Sequence, residues 1–231
     1  MIDRDNYIQQ YRDQLYRFIS ATSQVSDSSW AKMCEIMQFY KVKKGTRLLD
    51  YMRVEHAVRF LCKGIVKCED HFYDNSFIYD FRVAPIILCE TVSFFNNTPS
   101  HITLEAVTEC EFIELPREPL IKLLDSNFDL AKFATTGVAN YLGMTHYKMA
   151  IIRSLSAEKR YKLFLREFPM VAKYCELNDI SSYLNVTPQS LSRIRKTIQW
   201  AEDERELEAL SSELEVVHGK SAKKINTLQK Q

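Results

Sequence analysis

Six side chains within one short run carry the chemistry that this sequence displays most openly: Thr187, Gln189, Ser190, Arg193, Arg195 and Lys196, in NVTPQSLSRIRK. Arg matches the O6 and N7 acceptors of guanine with two parallel donors, and Gln offers a donor and an acceptor to a base edge. Ser, Thr and Lys suit phosphate oxygens, which fix register without reading sequence. At helical spacing Gln189, Ser190, Arg193 and Lys196 share one face, with Arg195 on its flank, while Leu191 and Ile194 point the other way. The same pattern would serve a packed helical hairpin with a solvated basic face, and both readings stand at this point.

Those residues need a second helix to hold them. Asn178 is a candidate N-cap, with Asp179 in the first turn and Ile180, Tyr183 and Leu184 on one apolar face. Asn185 sits where the chain must turn and tolerates left-handed backbone. Val186 plugs the corner, Thr187 caps the following helix and Pro188 takes its first position, where a missing N–H costs nothing. Two short helices around a tight corner, with polar groups at the start of the second, have the geometry of a helix-turn-helix reading the major groove.

At 231 residues the chain is long enough for one or two domains, and 46% hydrophobic and 26% charged residues are ordinary for a globular protein. No apolar run could span a bilayer and the first residues are too polar for a signal peptide, so a cytoplasmic protein is expected. Cys34, Cys62, Cys68, Cys89, Cys110 and Cys175 are scattered without CxxC spacing, which fits free thiols and argues against a zinc or iron–sulfur centre. No metal site is expected. The net charge is only +1, but nine Lys and Arg face four Asp and Glu between Ile151 and Trp200. The positive excess therefore lies on the helical module, where phosphate contact requires it.

Upstream, Asp3 to Ile19 and Ser26 to Met37 read as helices that cover an edge of the adjoining β segment. From Phe39 to Leu115, short β-branched and aromatic runs alternate with turn signals, including Gly45 and Gly64, and predict an antiparallel β domain of about 75 residues. Arg117 to Asp125 reads as one or two helical turns and Asn127 to Arg153 as a long helix. On the long helix Ala131, Thr135, Val138, Leu142, Thr145, Met149 and Ile152 form a heptad seam, and Leu130, Ala134, Tyr141 and Ile151 a second face. A helix with two such faces can lie on its own domain and pair with a copy of itself; a core helix buried on both sides is the alternative. Gly137 and Gly143 suggest close approach of a partner or ligand. Ser154 to Ser156 is a hinge, Ser156 caps a helix to Phe168, and Pro169 stops it. The acidic stretch from Ala201 carries Leu207, Leu210, Leu214 and Val217 on one stripe. It reads as a helix docked on the domain or on a partner, with a frayed end.

The order β-roll, long helix, hinge and helix-turn-helix, together with three motifs, resembles the Crp–Fnr superfamily of bacterial transcription regulators from about Gln38 to Gln199. Phe60 to Val66 is similar to the family's strand–Gly–strand turn, Cys89 to Phe95 to its Gly-Glu phosphate cassette, and Thr187 to Lys196 to its recognition helix. The ending SLSRIRK resembles Bacteroidetes members. The resemblance implies an α+β protein with an N-terminal antiparallel β-roll, a cyclic-nucleotide-binding-like jelly roll with a long dimerisation helix, followed by an all-α, winged-helix-like helix-turn-helix domain. The expected division is 1–153 for the effector-sensing domain with its dimer helix at 127–153, 154–200 for the DNA-binding domain, and 201–231 for an acidic helical tail, partly disordered.

The resemblance further implies a homodimer on a palindromic operator of double-stranded DNA, in contact with RNA polymerase and controlled by a small effector. Val138, Leu142, Thr145, Met149 and Ile152 would form the dimer interface. Arg193 falls on the family's base-reading Arg, and Gln189 lies where many members have Glu. At the effector site Glu90 matches the ribose-binding Glu, but Ser100 stands where the phosphate-binding Arg belongs, followed by His101, and Cys89 replaces the Gly. On the long helix Thr145 matches the residue facing the purine and His146 replaces a Ser. A buried phosphodiester without the Arg would be left largely unpaired. An unknown small molecule, or no effector, is therefore expected ahead of cyclic AMP. Haem would need an axial ligand such as His71 or His101. Two other functions compete with the regulator. One is a regulatory subunit acting on a partner protein without DNA, which has no need of the basic face. The other is an enzyme, for which the sequence displays no catalytic constellation.

Overall fold

Alternating apolar residues between Gln38 and Pro116 build two four-stranded antiparallel sheets that face each other across one apolar layer. The structure is a computed structural model and describes residues 4–197. The first sheet has the order β1 (Gln38–Val42), β8 (Cys110–Pro116), β3 (Ala57–Lys63), β6 (Ile86–Leu88); the second β2 (Arg47–Leu49), β7 (Ile102–Ala106), β4 (Ile65–Phe72), β5 (Asn75–Val83). Leu49, Leu61, Val66, Leu88, Leu104 and Ala106 fill the space between them. Burial of that layer is the main driving force for the roll. Gly64 joins β3 to β4 at φ +108°, and a Cβ there would lie 2.6 Å from both the Glu109 carbonyl oxygen and Cys110 Sγ. Only glycine fits that turn.

Helices α1 (Arg4–Ser20), α2 (Asp27–Glu35) and α4 (Arg117–Ser126) cover the outer face of the first sheet, with Leu15, Ile19, Met33, Phe60 and Phe94 in a second apolar cluster. The Arg117 segment is a full helix rather than the turn or two expected. Helix α3 (Thr91–Asn96) lies between β6 and β7, and α5 (Phe128–Ser154) is the long helix. Asp129, in the first turn of α5, accepts from the Ser26 amide at 2.8 Å and the Ser29 hydroxyl at 2.8 Å, and so ties the start of α2 to α5. The Ser26 amide bond, helped by the Ser hydroxyls, holds its carboxyl down at about 2. Gly137 has open space around an added Cβ, so the close approach expected there is absent within this chain.

The reader comprises α6 (Ala157–Glu167), α7 (Pro169–Tyr174), α8 (Leu177–Tyr183) and α9 (Pro188–Thr197). Ser156 caps α6 through the Lys159 amide at 3.3 Å, and Pro169 both ends α6 and opens α7, a helix that the sequence reading lacked. Asn178 is not the cap of α8; Glu176 holds that position without a side-chain bond, and Asn178 lies one residue inside the helix. Asn185 turns the corner at φ +52°, with the Val186 amide donating to the Ser181 carbonyl at 3.0 Å. No strand comes after β8 among the described residues, so the described reader is helical only, without the expected wing. Trp200 and the acidic stripe Leu207, Leu210, Leu214 and Val217 lie outside the described residues.

Two of these local contacts have measurable consequences for stability. The Asp129 carboxyl is depressed in the folded chain, so its contribution is present above the unfolded value and is lost as pH falls from about 4 to about 2. In urea unfolding, Asp129→Asn should be less stable than wild type at pH 6, and that difference should shrink below pH about 3. At the corner, Asn185→Ala should cost about 1 kcal/mol through left-handed backbone, while Asn185→Gly should be nearly neutral; equal losses would remove the backbone explanation.

Candidate functional site

Helix α9 stands at the surface because only one of its faces is apolar. Leu191 is fully buried and Ile194 packs beside it against Val186 and Leu184. Thr187 caps the helix, accepting from the Ser190 amide at 3.1 Å, and its hydroxyl donates to Ser190 Oγ at 2.9 Å. Gln189, Arg193, Arg195 and Lys196 are exposed, and Ser190 is half-buried. The structure therefore puts Gln189, Arg193 and Lys196 on one outward face of α9, with Ser190 half-buried beside them, Arg195 on the flank and Thr187 at the cap. None of these basic side chains enters an ion pair among the described residues, so their charge is available to an anionic partner.

The corner is fastened to the β-roll by contacts that sequence reasoning missed. Phe81 on β5 meets Phe164 of α6 and Tyr183 of α8, at ring-centroid distances of 6.2 and 5.4 Å. The Ile78 amide donates to Ser182 Oγ at 2.9 Å, and Lys67 Nζ reaches Asp179 at 3.0 Å. Burial opposes the Lys67 charge, but the Asp179 and Glu105 carboxylates together outweigh it and hold the ammonium above its ordinary value. Arg160 of α6 donates to the carbonyls of Leu155 at 2.8 Å, Ile152 at 3.2 Å and Leu184 at 3.1 Å. One guanidinium thus joins the end of α5, the hinge and the end of α8.

The cassette is equally well fixed. Glu90 caps α3, accepting from the amides of Val92 at 3.0 Å and Ser93 at 2.6 Å. Behind it Glu55, fully buried, pairs with Arg59 at 2.7 Å, while Ser93 Oγ accepts from the Glu55 amide at 2.8 Å. Glu90 and His101 line a recess of about 480 Å³ with Asp70 and Thr98. Ser100 is fully buried and its hydroxyl turns back on the amide and carbonyl of Ile102, so it points no group at that recess. Thr145 donates to the Tyr141 carbonyl and His146 is exposed on α5; neither lines the recess. The five effector residues expected from the resemblance are not gathered into one site. His71, a candidate axial ligand, is bonded to Thr103 Oγ1 at 2.9 Å. Among the described residues no group of three His, Cys, Asp or Glu could hold a metal, and the six cysteines are unpaired.

A larger cavity, of about 1190 Å³, opens between α1, the β-roll and α5 and extends to the reader. Ile86, Leu88, Phe94, Phe133 and Met144 give it apolar walls. One wall is charged. Asp80 of β5 is bound by Arg82 at 2.8 Å and by Lys148 of α5, and Arg82 lies 4.9 Å below the Tyr141 ring. Burial works against the Asp80 charge, yet the two cations hold its carboxyl below the ordinary range; burial also pushes Lys148 down. A sequence signal exists for this wall: Asp80-Phe81-Arg82 alternates inside an apolar strand.

On α5 the expected second face lies inward, with Leu130 buried and Tyr141 half-buried, while Leu142 is 69% exposed and Val138, Met149 and Ile152 are also exposed. An uncovered apolar stripe of this kind is unusual on a lone chain. Among the described residues no helix is long and apolar enough to cross a membrane.

No family model matches the sequence, and no curated protein matches it either. Solved structures do match. A protein from Eubacterium rectale described as a transcriptional regulator of the crp/fnr family superposes with a TM-score of 0.65 at 14% identity, over 80% of this chain and 94% of that one. FixK2 from Bradyrhizobium japonicum gives 0.62 at 16% identity, over 76% and 97%. The c-di-GMP responsive global regulator CLP of Xanthomonas campestris gives 0.58 at 13% identity, over 74% and 90%. The chain has the fold of these proteins: a cyclic-nucleotide-binding-like β-roll, a long helix and a helical C-terminal module.

Proposed function

We propose that the protein is a sequence-specific DNA-binding transcription regulator, and not an enzyme. The observation that carries this reading is the free polar and basic row Gln189, Arg193, Arg195 and Lys196 on α9, presented by a helix-turn-helix corner. Arg193 reads a guanine, Gln189 and Ser190 contact neighbouring bases or phosphates, and Thr187, Arg195 and Lys196 hold the backbone. The likeness to regulators in the crp/fnr fold supports it, as does the concentration of positive charge on the reader. The Bacteroidetes affinity rests on the SLSRIRK ending alone.

The active species is a cytoplasmic homodimer paired along Val138, Leu142, Thr145, Met149 and Ile152, which sets two α9 helices about 34 Å apart on a palindrome. It works with RNA polymerase and is controlled through the β-roll by an unknown small effector, with cyclic AMP disfavoured. With Ser100 turned inward and Thr145 and His146 outside the recess, the cassette offers a cyclic phosphodiester no Arg or Lys, and only His101 in their place.

Selection of bound sequences from random duplex DNA should enrich a palindrome. Arg193→Ala should lose about 1–3 kcal/mol in operator affinity and relax preference at one base pair of each half-site. Unchanged preference would remove that role from Arg193, and no enrichment at all would turn the reading to a regulatory subunit acting on a protein partner. Leu142→Asp should shift the protein from dimer to monomer in sedimentation, because it puts a charge into an apolar seam; a variant that stays dimeric would exclude this face as the interface.

A further inference from the structure

The charged wall of the large cavity is out of balance. Arg82 and Lys148 both point at Asp80, and among the described residues no other carboxylate pairs with either of them. Asp80 is 2% exposed and Arg82 9%. The lining also includes the carboxylates Glu109 and Glu167, which the cations Lys63, Arg160 and Arg166 outnumber. Burial raises the Tyr79 and Tyr141 phenols and lifts the Cys68 thiol to about 11, so all three stay neutral near pH 7. One positive charge is thus left over in a poorly solvated site, an arrangement that favours an anion strongly. Ile86, Leu88, Phe94, Phe133 and Met144 give the cavity an apolar stretch of wall. Gln14 Oε1, on the α1 wall, is buried without a partner and can accept from a ligand donor.

We propose that this cavity binds a singly charged organic acid with an apolar body, its acid group seated on Arg82 and Lys148, and that such a molecule is the effector. Charge complementarity selects the head group and the walls select the body. The cavity adjoins the cassette, whose Cys89, Thr91, Phe94 and Phe95 line it, but its cations come from β5 and α5 and neither Glu90 nor His101 lines it. Calling the ligand an effector rests on the regulator reading; the binding site itself does not. The consequence for signalling lies in β5. Arg82 and Asp80 face the cavity, whereas Phe81, between them, packs on Phe164 and Tyr183 of the reader. An acid that draws Arg82 and Lys148 toward itself loosens their hold on Asp80 and shifts the strand on which the reader rests.

Two probes with the same ring system separate charge from apolar fit: 8-anilinonaphthalene-1-sulfonate and the uncharged N-phenyl-1-naphthylamine. Fluorescence titration of the full chain should give one sulfonate site per chain, at least about tenfold tighter than the neutral probe, the worth of one charge-assisted contact. Lys148→Met keeps the apolar stem and leaves Asp80 and Arg82 matched, so the fold should hold. It should weaken the sulfonate about tenfold and leave the neutral probe within about twofold. Asp80→Asn should tighten the sulfonate. Equal affinities for the two probes, or an equal loss of both in Lys148→Met, would overturn the site. Sulfonate binding that depends on Lys148 carries the site whether or not the protein selects a duplex. The effector role is read separately, as a change in duplex affinity at saturating sulfonate; an unchanged affinity in a protein that does select DNA would overturn that role.

Discussion

Strand β5 has to satisfy two cores at once, and the arrangement of the molecule depends on how it does so. Its side chains alternate between the inside of the roll and the surface on which the reader sits. Arg82 lies opposite Val66 and Asp80 opposite Cys68, both interior residues of β4, so the two charged groups face inward. Phe81 lies opposite Lys67 and faces out, toward α6 and α8. The register then slips by one: Glu69 pairs with Ile78, and Tyr79 is left as the extra residue. Without that bulge, Ile78 would turn into the roll and the reader would lose half of its apolar seat.

Because the seat is apolar and shared, the reader is not an independent body tethered at a hinge. Ile78 and Phe81 belong to the same cluster as Phe164, Ile180, Leu184 and Leu191, which is continuous up to the buried side of α9. Separating the reader from the roll would expose much of this shared core. Polar contacts then fix the orientation that the apolar patch leaves loose. Lys67 with Asp179 and the Ile78 amide with Ser182 define where α8 crosses β5, and Arg160 ties the same corner to the end of α5. The Lys67–Asp179 pair is only partly buried, so its value lies in orientation more than in stability.

Much of this was legible in the sequence where local rules decide. The left-handed Asn185, the Thr187 cap, the inward Leu191 and the outward Arg193 all follow from turn chemistry and helical period, and the structure has each of them. The β-roll boundaries and the Ser156 cap also follow from such signals. What was not legible depends on distant partners. Asp80 and Lys148 are far apart in the chain and meet only because α5 lies across the mouth of the roll. Asn178 has the right chemistry for a cap, but α8 begins earlier because its apolar residues must reach β5. The five effector residues come from resemblance alone, which treats them as one site; backbone geometry assigns Ser100 to its own turn and Thr145 to its own helix.

The location of charge is the deeper reason why the cassette and the cavity part company. A cassette that binds a phosphodiester keeps its cation on the loop after the capping Glu, near the surface of the roll. Here that loop carries Ser100, folded onto Ile102, and the cations sit instead on β5 and α5. Recognition of an anion in this chain is therefore tied to the strand that carries the reader. Glu90 caps α3, with the buried Glu55–Arg59 pair behind it.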